Sequence, residues 1–396
     1  MILLKLRVTT DFGNSKTKIR INGERIEQPS VIKRLHNPEP ASETNIEKNI
    51  ANLLEELSVN IASPSLKRSG FFSVGQHANL DALKSENMNI KLGKKSKHDI
   101  PIVMNLSLTA AQVVKNYYKK NKKLPEKIDV QGTLAGAIPA SEYTSEIAKE
   151  FEERFIGKEG SPIVHVVIVY VGSQSVTVTI RYTNAKITQE GIPALYALIE
   201  TNETILRKFR ELYKNDPKRN SMTQRDFLSL KGLGIDIGSG TTEYIHSRGV
   251  NPVLQNCHGE KRGVGHAAEE ATKLLESELN GHLKINRQRF DEIMQDNQNN
   301  YHELAQKFMS EAQYGESNRI LEDVQERYSV IGGDIDFMMV FGGGSITFEE
   351  DLYPSLTEFS EDVKCMILWI PEEFAIDMNL DGLEILHTKV FFPGVA

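Results

Sequence analysis

The chain has 396 residues, with 47 Lys and Arg against 54 Asp and Glu, and a formal charge of −7. That balance argues against a basic protein that coats nucleic acid, and 39% hydrophobic with 26% charged residues excludes disorder and coiled coil in favour of two or three globular domains. Two cysteines, Cys257 and Cys365, are too few for a disulfide framework or a cysteine-built zinc site, which points to a reducing cytoplasm. The most apolar stretch, residues 163–171, is about half the ~20 residues of a membrane span, and Lys5 comes too early for a signal peptide.

In chain order, residues 4–10, 17–21 and 25–26 read as short strands, the last two joined by the Asn22-Gly23 hairpin signal. Helices are expected at 108–118 and 145–155. Residues 163–171 and 175–182 read as a strand pair in which Val176, Val178 and Ile180 alternate with threonines. After Gly191-Ile192-Pro193, one apolar stripe through Leu195, Leu198, Ile199, Ile205, Leu206, Phe209, Leu212 and Tyr213 predicts a single long helix, stopped by Asn215-Asp216-Pro217. Residues 214–225 read as a loop. A second α/β block follows, with a strand at 232–237, helices at 267–279, 301–312 and 320–328, and a strand at 337–341 closed by Gly342-Gly343-Gly344. Trp369 with Met366, Ile367 and Leu368 reads as a core strand. The basic runs 91–97 and 119–123 read as solvated faces.

Two segments carry the chemistry. Asp11-Phe12-Gly13-Asn14-Ser15 and Asp236-Ile237-Gly238-Ser239-Gly240-Thr241 each place an acid at the end of a β-type run, followed by a hairpin rich in Gly and small hydroxyl residues. Glycine allows the tight turn, backbone N–H groups point at an anion, and the acid holds a hydrated cation against it. Mg²⁺ keeps most of its waters and takes one or two carboxylates plus substrate phosphates, so two such hairpins facing each other form a metal–triphosphate clamp with Asp11 and Asp236 at the metal. Singly, each hairpin is most often only a turn; one in each block, each after a strand, is harder to dismiss. Gly342, Gly343 and Gly344 supply a third place where backbone without side chains can approach a base or ribose. His77, His165, His246, His258, His266 and His282 have no metal-ligand spacing and default to core or surface.

These motifs, in this order, resemble the actin, heat-shock-chaperone and sugar-kinase superfamily, and in detail the bacterial plasmid-segregation actins of the ParM type. Asp11-x-Gly13 with Lys18 is similar to the first phosphate hairpin of actins, and Gln28-Pro29-Ser30-Val31 and Val74-Gly75-Gln76-His77-Ala78 resemble segments that follow it. Thr188-Gln189-Glu190-Gly191-Ile192-Pro193 resembles the segment whose glutamate positions the attacking water. Asp236 to Thr242 resembles the second phosphate hairpin, Phe341 to Ser345 the adenosine motif, and Asn379-Leu380-Asp381-Gly382-Leu383 a segment near the return to the first domain. The first hairpin, with Lys16-Thr17-Lys18, is more basic than usual.

The resemblance implies an α/β actin-like fold of duplicated ribonuclease-H type, with two domains flanking a nucleotide cleft: domain I at 1–192, an interdomain helix and linker at 193–231, domain II at 232–365, and a C-terminal segment, 366–396, returning to domain I. It implies ATP or GTP with Mg²⁺ as ligands, Asp11 and Asp236 at the metal, Gly13, Asn14, Ser15, Lys18, Gly238, Ser239, Gly240, Thr241, Gly342, Gly343 and Gly344 around the nucleotide, and Glu190 orienting the water. It also implies a nucleoside triphosphatase that forms filaments with copies of itself. Its expected partner is a DNA-binding adaptor on a centromere-like plasmid site, with no direct DNA or membrane contact. A small-molecule kinase and a cell-shape actin are the alternatives on the same fold.

Overall fold

The computed structural model describes residues 2–37, 44–81, 84–88 and 94–394. Part of the basic run at 91–97 lies outside them. The chain forms two compact units, one of Met1–Ile138, Glu142–Thr188 and Leu386–Ala396, the other of Pro139–Ser141 and Gln189–Ile385.

The first unit is built on a 10-stranded sheet. From one edge its strands are Glu24–Pro29, Lys16–Ile21, Leu3–Phe12, Lys127–Ile138, Gln174–Gln189, His165–Val171, Ser58–Ala62, Gly70–Val74, Val31–Leu35 and Glu86–Asn87. The Leu3–Phe12 strand is antiparallel to Lys16–Ile21, with Asp11 opposite Lys18, and parallel to Lys127–Ile138, with Asp11 opposite Ala137. Helix Ile100–Asn121 carries Ile102, Val103, Leu106 and Val113 into this core with the polar Asn105 and Thr109. Those polar groups are satisfied internally: Asn105 donates to Thr10 Oγ1 at 2.9 Å and accepts from the Tyr182 hydroxyl at 2.7 Å. The expected strands and the helix at 145–155 are present, the latter as Ser145–Ile156 with Thr144 as its N-cap.

The second unit repeats the central arrangement. In its six-stranded sheet, Lys231–Ile237 is antiparallel to Thr242–Arg248 and parallel to Phe337–Phe341, which is in turn parallel to Met366–Trp369. Asp236 lies opposite Glu243 on the hairpin side and opposite Phe341 on the parallel side. Trp369 is buried and meets Tyr353 edge-on, as a core residue.

Five expectations change. The single helix over 195–213 is three pieces, Ile192–Glu200, a 3-10 turn Glu203–Leu206 and Arg207–Leu212, because Asn202 caps a new start by accepting from Thr204 N. The 214–225 loop contains the short helix Pro217–Asn220, which Asp216 caps from outside, so Asp216-Pro217 begins an element as well as ending one. The helices expected at 301–312 and 320–328 are one, His302–Val330. Residues 193–231 pack within the second unit rather than linking the two, and the return to the first unit starts at Leu386 rather than at 366.

Candidate functional site

In the first unit, Asp11 sits at the end of its strand, 7% exposed, and Lys18 across the hairpin donates to its Oδ2 at 3.3 Å. The turn between them requires glycine: a Cβ on Gly13 would lie 2.2 Å from Lys16 O. Ser30 clamps the turn from the neighbouring strand edge. Its hydroxyl donates to Gly13 O at 2.6 Å and meets Thr17 Oγ1 at 2.9 Å, while its N–H donates to Ser15 O at 2.8 Å. Gln28 Oε1 accepts from Gln76 N at 2.9 Å, and Gly75, at φ +66, leaves room for it, since a Cβ there would come within 2.4 Å. Ser30 therefore braces the hairpin directly, while Gln28 and Gly75-Gln76 hold each other. Lys16 is engaged with Glu27 at 2.6 Å. Burial opposes ionisation of Glu27, but Lys16 and Arg25 together hold its carboxyl below the usual range.

In the second unit, the hairpin from Gly238 to Thr241 lies against the start of helix Val264–Glu278. Three successive hairpin carbonyls are held there. Gly238 O accepts from Val264 N at 3.3 Å, Ser239 O from Gly265 N at 2.8 Å, and Gly240 O from His266 Nε2 at 3.0 Å. A carbonyl only accepts, so Nε2 of His266 carries the proton. With no cis peptide among the described residues, each held carbonyl leaves the N–H that follows it pointing in the opposite direction. The N–H groups of Ser239, Gly240 and Thr241 are thus directed away from the helix, the arrangement an anion-binding turn needs. Gly263 and Gly265 make the approach possible, since a Cβ on either would lie 2.3 Å from Gly238 O or 2.8 Å from Ser239 O respectively. Gly263 N in turn donates to the buried Glu316 at 2.9 Å.

Asp236, 7% exposed, closes the adjoining strand. Gly342 packs on it, at φ +90, where a Cβ would come within 2.5 Å of Asp236 Oδ1; Gly344 packs on Ile237 in the same way at 2.4 Å. Gly343 differs from both: it is exposed and a Cβ there would meet nothing within 4 Å. The triplet therefore divides into two glycines imposed by packing and one beside open space. Glu190, also 7% exposed, falls between the end of strand Gln174–Gln189 and helix Ile192–Glu200, so it is not a solvent-facing helix-start residue. Gly191, at φ +82, follows it, and its N–H donates to Asn379 Oδ1 at 3.0 Å, while Asn379 Nδ2 donates to Asp236 Oδ2 at 2.6 Å.

Glu190, Asp236, Gly342 and the Gly238–Thr241 turn belong to the second unit; Asp11, Gly13, Asn14, Ser15 and Lys18 belong to the first. Sequence alone does not single out His266 or Asn379 as site residues, because neither has a recognisable spacing to the hairpin it serves. Among the described residues no cluster of three or more His, Cys, Asp or Glu side chains forms a metal cage. A divalent cation at either Asp11 or Asp236 would then need water and phosphate for its remaining ligands, a donor set of the kind Mg²⁺ accepts.

No protein-family model matches the chain, and no curated protein matches it by sequence. Solved structures do match over nearly its whole length. The actin-like protein Alp7A superposes with a TM-score of 0.63 at 17% identity, covering 97% of this chain and 96% of its own. The fold is actin-like. A 15-stranded ParM filament from Clostridium botulinum has a subunit of the same actin-like fold, with a TM-score of 0.64 at 14% identity and coverage of 98% and 99%. Bacillus thuringiensis ParM with AMPPNP gives 0.57 at 16% identity, with coverage of 97% and 98%. Among the described residues no helix of this actin-like chain is long and apolar enough to cross a membrane.

Proposed function

We propose that this chain is a ParM-like polymerising actin that hydrolyses ATP or GTP in the cytoplasm and segregates plasmid DNA through a DNA-binding adaptor. The observation that carries the reading is the second hairpin, which follows Asp236 in the chain and has three successive carbonyls held at the start of helix Val264–Glu278, an arrangement in which the N–H groups after them face away from that helix. Such a turn suits a polyphosphate, and the recurrence of the same strand arrangement around Asp11 supplies a second acid of the same kind.

In this reading the amides around Gly13 to Ser15 and Gly238 to Thr241 bind phosphate oxygens, and Lys18 offsets their charge. Asp11 and Asp236 would hold Mg²⁺, which would supply charge neutralisation on the phosphates when bound. Gly343 leaves space for the base or ribose. Glu190 accepts a hydrogen bond from the attacking water and orients it in line. Hydrolysis weakens the contacts between subunits, which join head to tail because a heterologous contact whose rotation does not close produces a filament.

Purified protein with Mg²⁺ and ATP or GTP should scatter light and show filaments by electron microscopy. Glu190→Ala should release phosphate more slowly, bind nucleotide nearly as wild type does, and form filaments that outlast wild-type ones. Absence of assembly with any nucleotide, together with turnover stimulated by a small hydroxyl acceptor, would refute the polymer in favour of a kinase. Unchanged phosphate release in the Glu190 variant would remove that residue from the chemistry.

A further inference from the structure

Asn379 is the one side chain described above that touches both the proposed metal-side carboxylate and the backbone next to the proposed water-orienting glutamate. It lies in the first turn of helix Met378–Leu386 and is 9% exposed. A first-turn asparagine commonly turns back on its own helix as a cap. Here both ends of the amide act outside it: Oδ1 accepts from Gly191 N at 3.0 Å and Nδ2 donates to Asp236 Oδ2 at 2.6 Å. The amide orientation follows from the partners, since an N–H only donates and a carboxylate only accepts.

The helix is seated closely enough for this bridge to be specific. Gly382, one turn further along, lies so near helix Ile192–Glu200 that a Cβ on it would come within 1.7 Å of Pro193 O. Gly191 is equally confined, with a Cβ there reaching Ile245 Cδ1 at 2.1 Å. Residues 379 and 382 share one helix face. That face is therefore fixed to 191–193 by contacts at both positions, and Asn379 extends the fixed body to the end of the Asp236 strand.

We propose that Asn379 is a positioning residue for nucleotide hydrolysis, holding the Asp236 carboxylate and the Glu190-Gly191 backbone in one arrangement; this rests on the hydrolase reading above. Groups that orient a metal-side carboxylate typically matter about 10–100-fold in activity. Because Asn379 sets geometry, its loss should appear chiefly in kcat.

The test compares full-length wild type with Asn379→Leu and Asn379→Asp, measuring phosphate release against ATP and GTP concentration, with a thermal melt of each variant. Asn379→Leu keeps the size and loses both hydrogen bonds. Asn379→Asp keeps the shape and the acceptor for Gly191 N–H, loses the donor, and brings a like charge to Asp236; being nearest in shape, it carries the test if the leucine variant does not fold. The expected result is a kcat reduced about 10–100-fold in both, with half-saturation by nucleotide moved less than about threefold. An aspartate variant with wild-type kcat would overturn the proposal, because Gly191 anchoring alone would then suffice. So would an effect confined to KM. Wild type without turnover of any nucleoside triphosphate would overturn the hydrolase reading and this role with it, whereas an active wild type with active variants would overturn the role alone.

Discussion

Gly342 and Gly343 are neighbours with opposite constraints, so alanine at each separates packing from ligand approach. Gly342 adopts φ 90, ψ 165, a region essentially restricted to glycine, where a side chain costs about 1–3 kcal/mol. A Cβ there would also lie 2.5 Å from Asp236 Oδ1 and 2.6 Å from Ile237 O. The strand must shift to relieve that, at a further cost of about 1–3 kcal/mol by analogy with overpacked cores. The sum, roughly 2–6 kcal/mol, is a large share of the ~5–15 kcal/mol that stabilises a typical domain. Gly342→Ala should lower the melting temperature by on the order of 10 °C and displace Asp236, abolishing nucleotide binding. Gly343→Ala meets nothing within 4 Å and should leave stability within about 0.5 kcal/mol of wild type, while Gly343→Leu, filling the open space, should weaken nucleotide binding with the fold intact. Calorimetry and titration with a fluorescent ATP or GTP analogue read both quantities. Equal destabilisation at the two positions would refute the division of the triplet, and undiminished binding by Gly343→Leu would remove the base or ribose from that space.

His266→Ala should free Gly240 O, let the peptide before Thr241 rotate and weaken nucleotide binding about tenfold, or ~1.4 kcal/mol, with an unchanged melting temperature; equal affinity in the titration would show that the turn holds itself. His165 is buried with Ser63 Oγ at 2.7 Å and Phe155 O at 2.9 Å, and burial lowers its pKa from 6.5 despite the Phe155 carbonyl. Protons then bind the unfolded chain more readily, so the stability His165 contributes is present above 6.5 and lost as pH falls through the lower folded value. Urea unfolding should show this decline below neutral pH, flattened in His165→Gln; parallel pH profiles would contradict it.

The elements that were legible in the sequence are those where local pattern and tertiary context agree. The strands ending in Asp11 and Asp236 have alternating or continuous apolar residues and a glycine turn directly after them, and they appear in the structure as read. The stripe at 195–213 looks continuous in sequence because periodicity registers apolar spacing but not the competing cap offered by Asn202. The continuous helix His302–Val330 looks broken in sequence for the converse reason. Glu316, which interrupts its apolar pattern beside Gly315, is buried as the acceptor for Gly263 N–H, a partner far away in the chain. His266 and Asn379 were illegible in the same sense: each acts on a backbone group whose position only the folded chain supplies.

The His387 side chain, in the last segment of the first unit, sets its two ring nitrogens against the hydroxyls of Thr9 at 3.0 Å and Thr133 at 2.7 Å. Thr9 lies on the strand that ends in Asp11, and Thr133 on its parallel neighbour. During synthesis, at about 5–20 residues per second, the strand pair leaves the ribosome on the order of ten to fifty seconds before this histidine does. Within that interval Glu142–Thr188 is made first, and the first unit then stands without its last piece while the whole of Gln189–Ile385 follows. A nascent chain stalled before Leu386 should therefore hold a first sheet whose two buried threonine hydroxyls lack their native imidazole partner, a ready substrate for a chaperone, and the arrival of His387 converts the order of translation into the order of assembly.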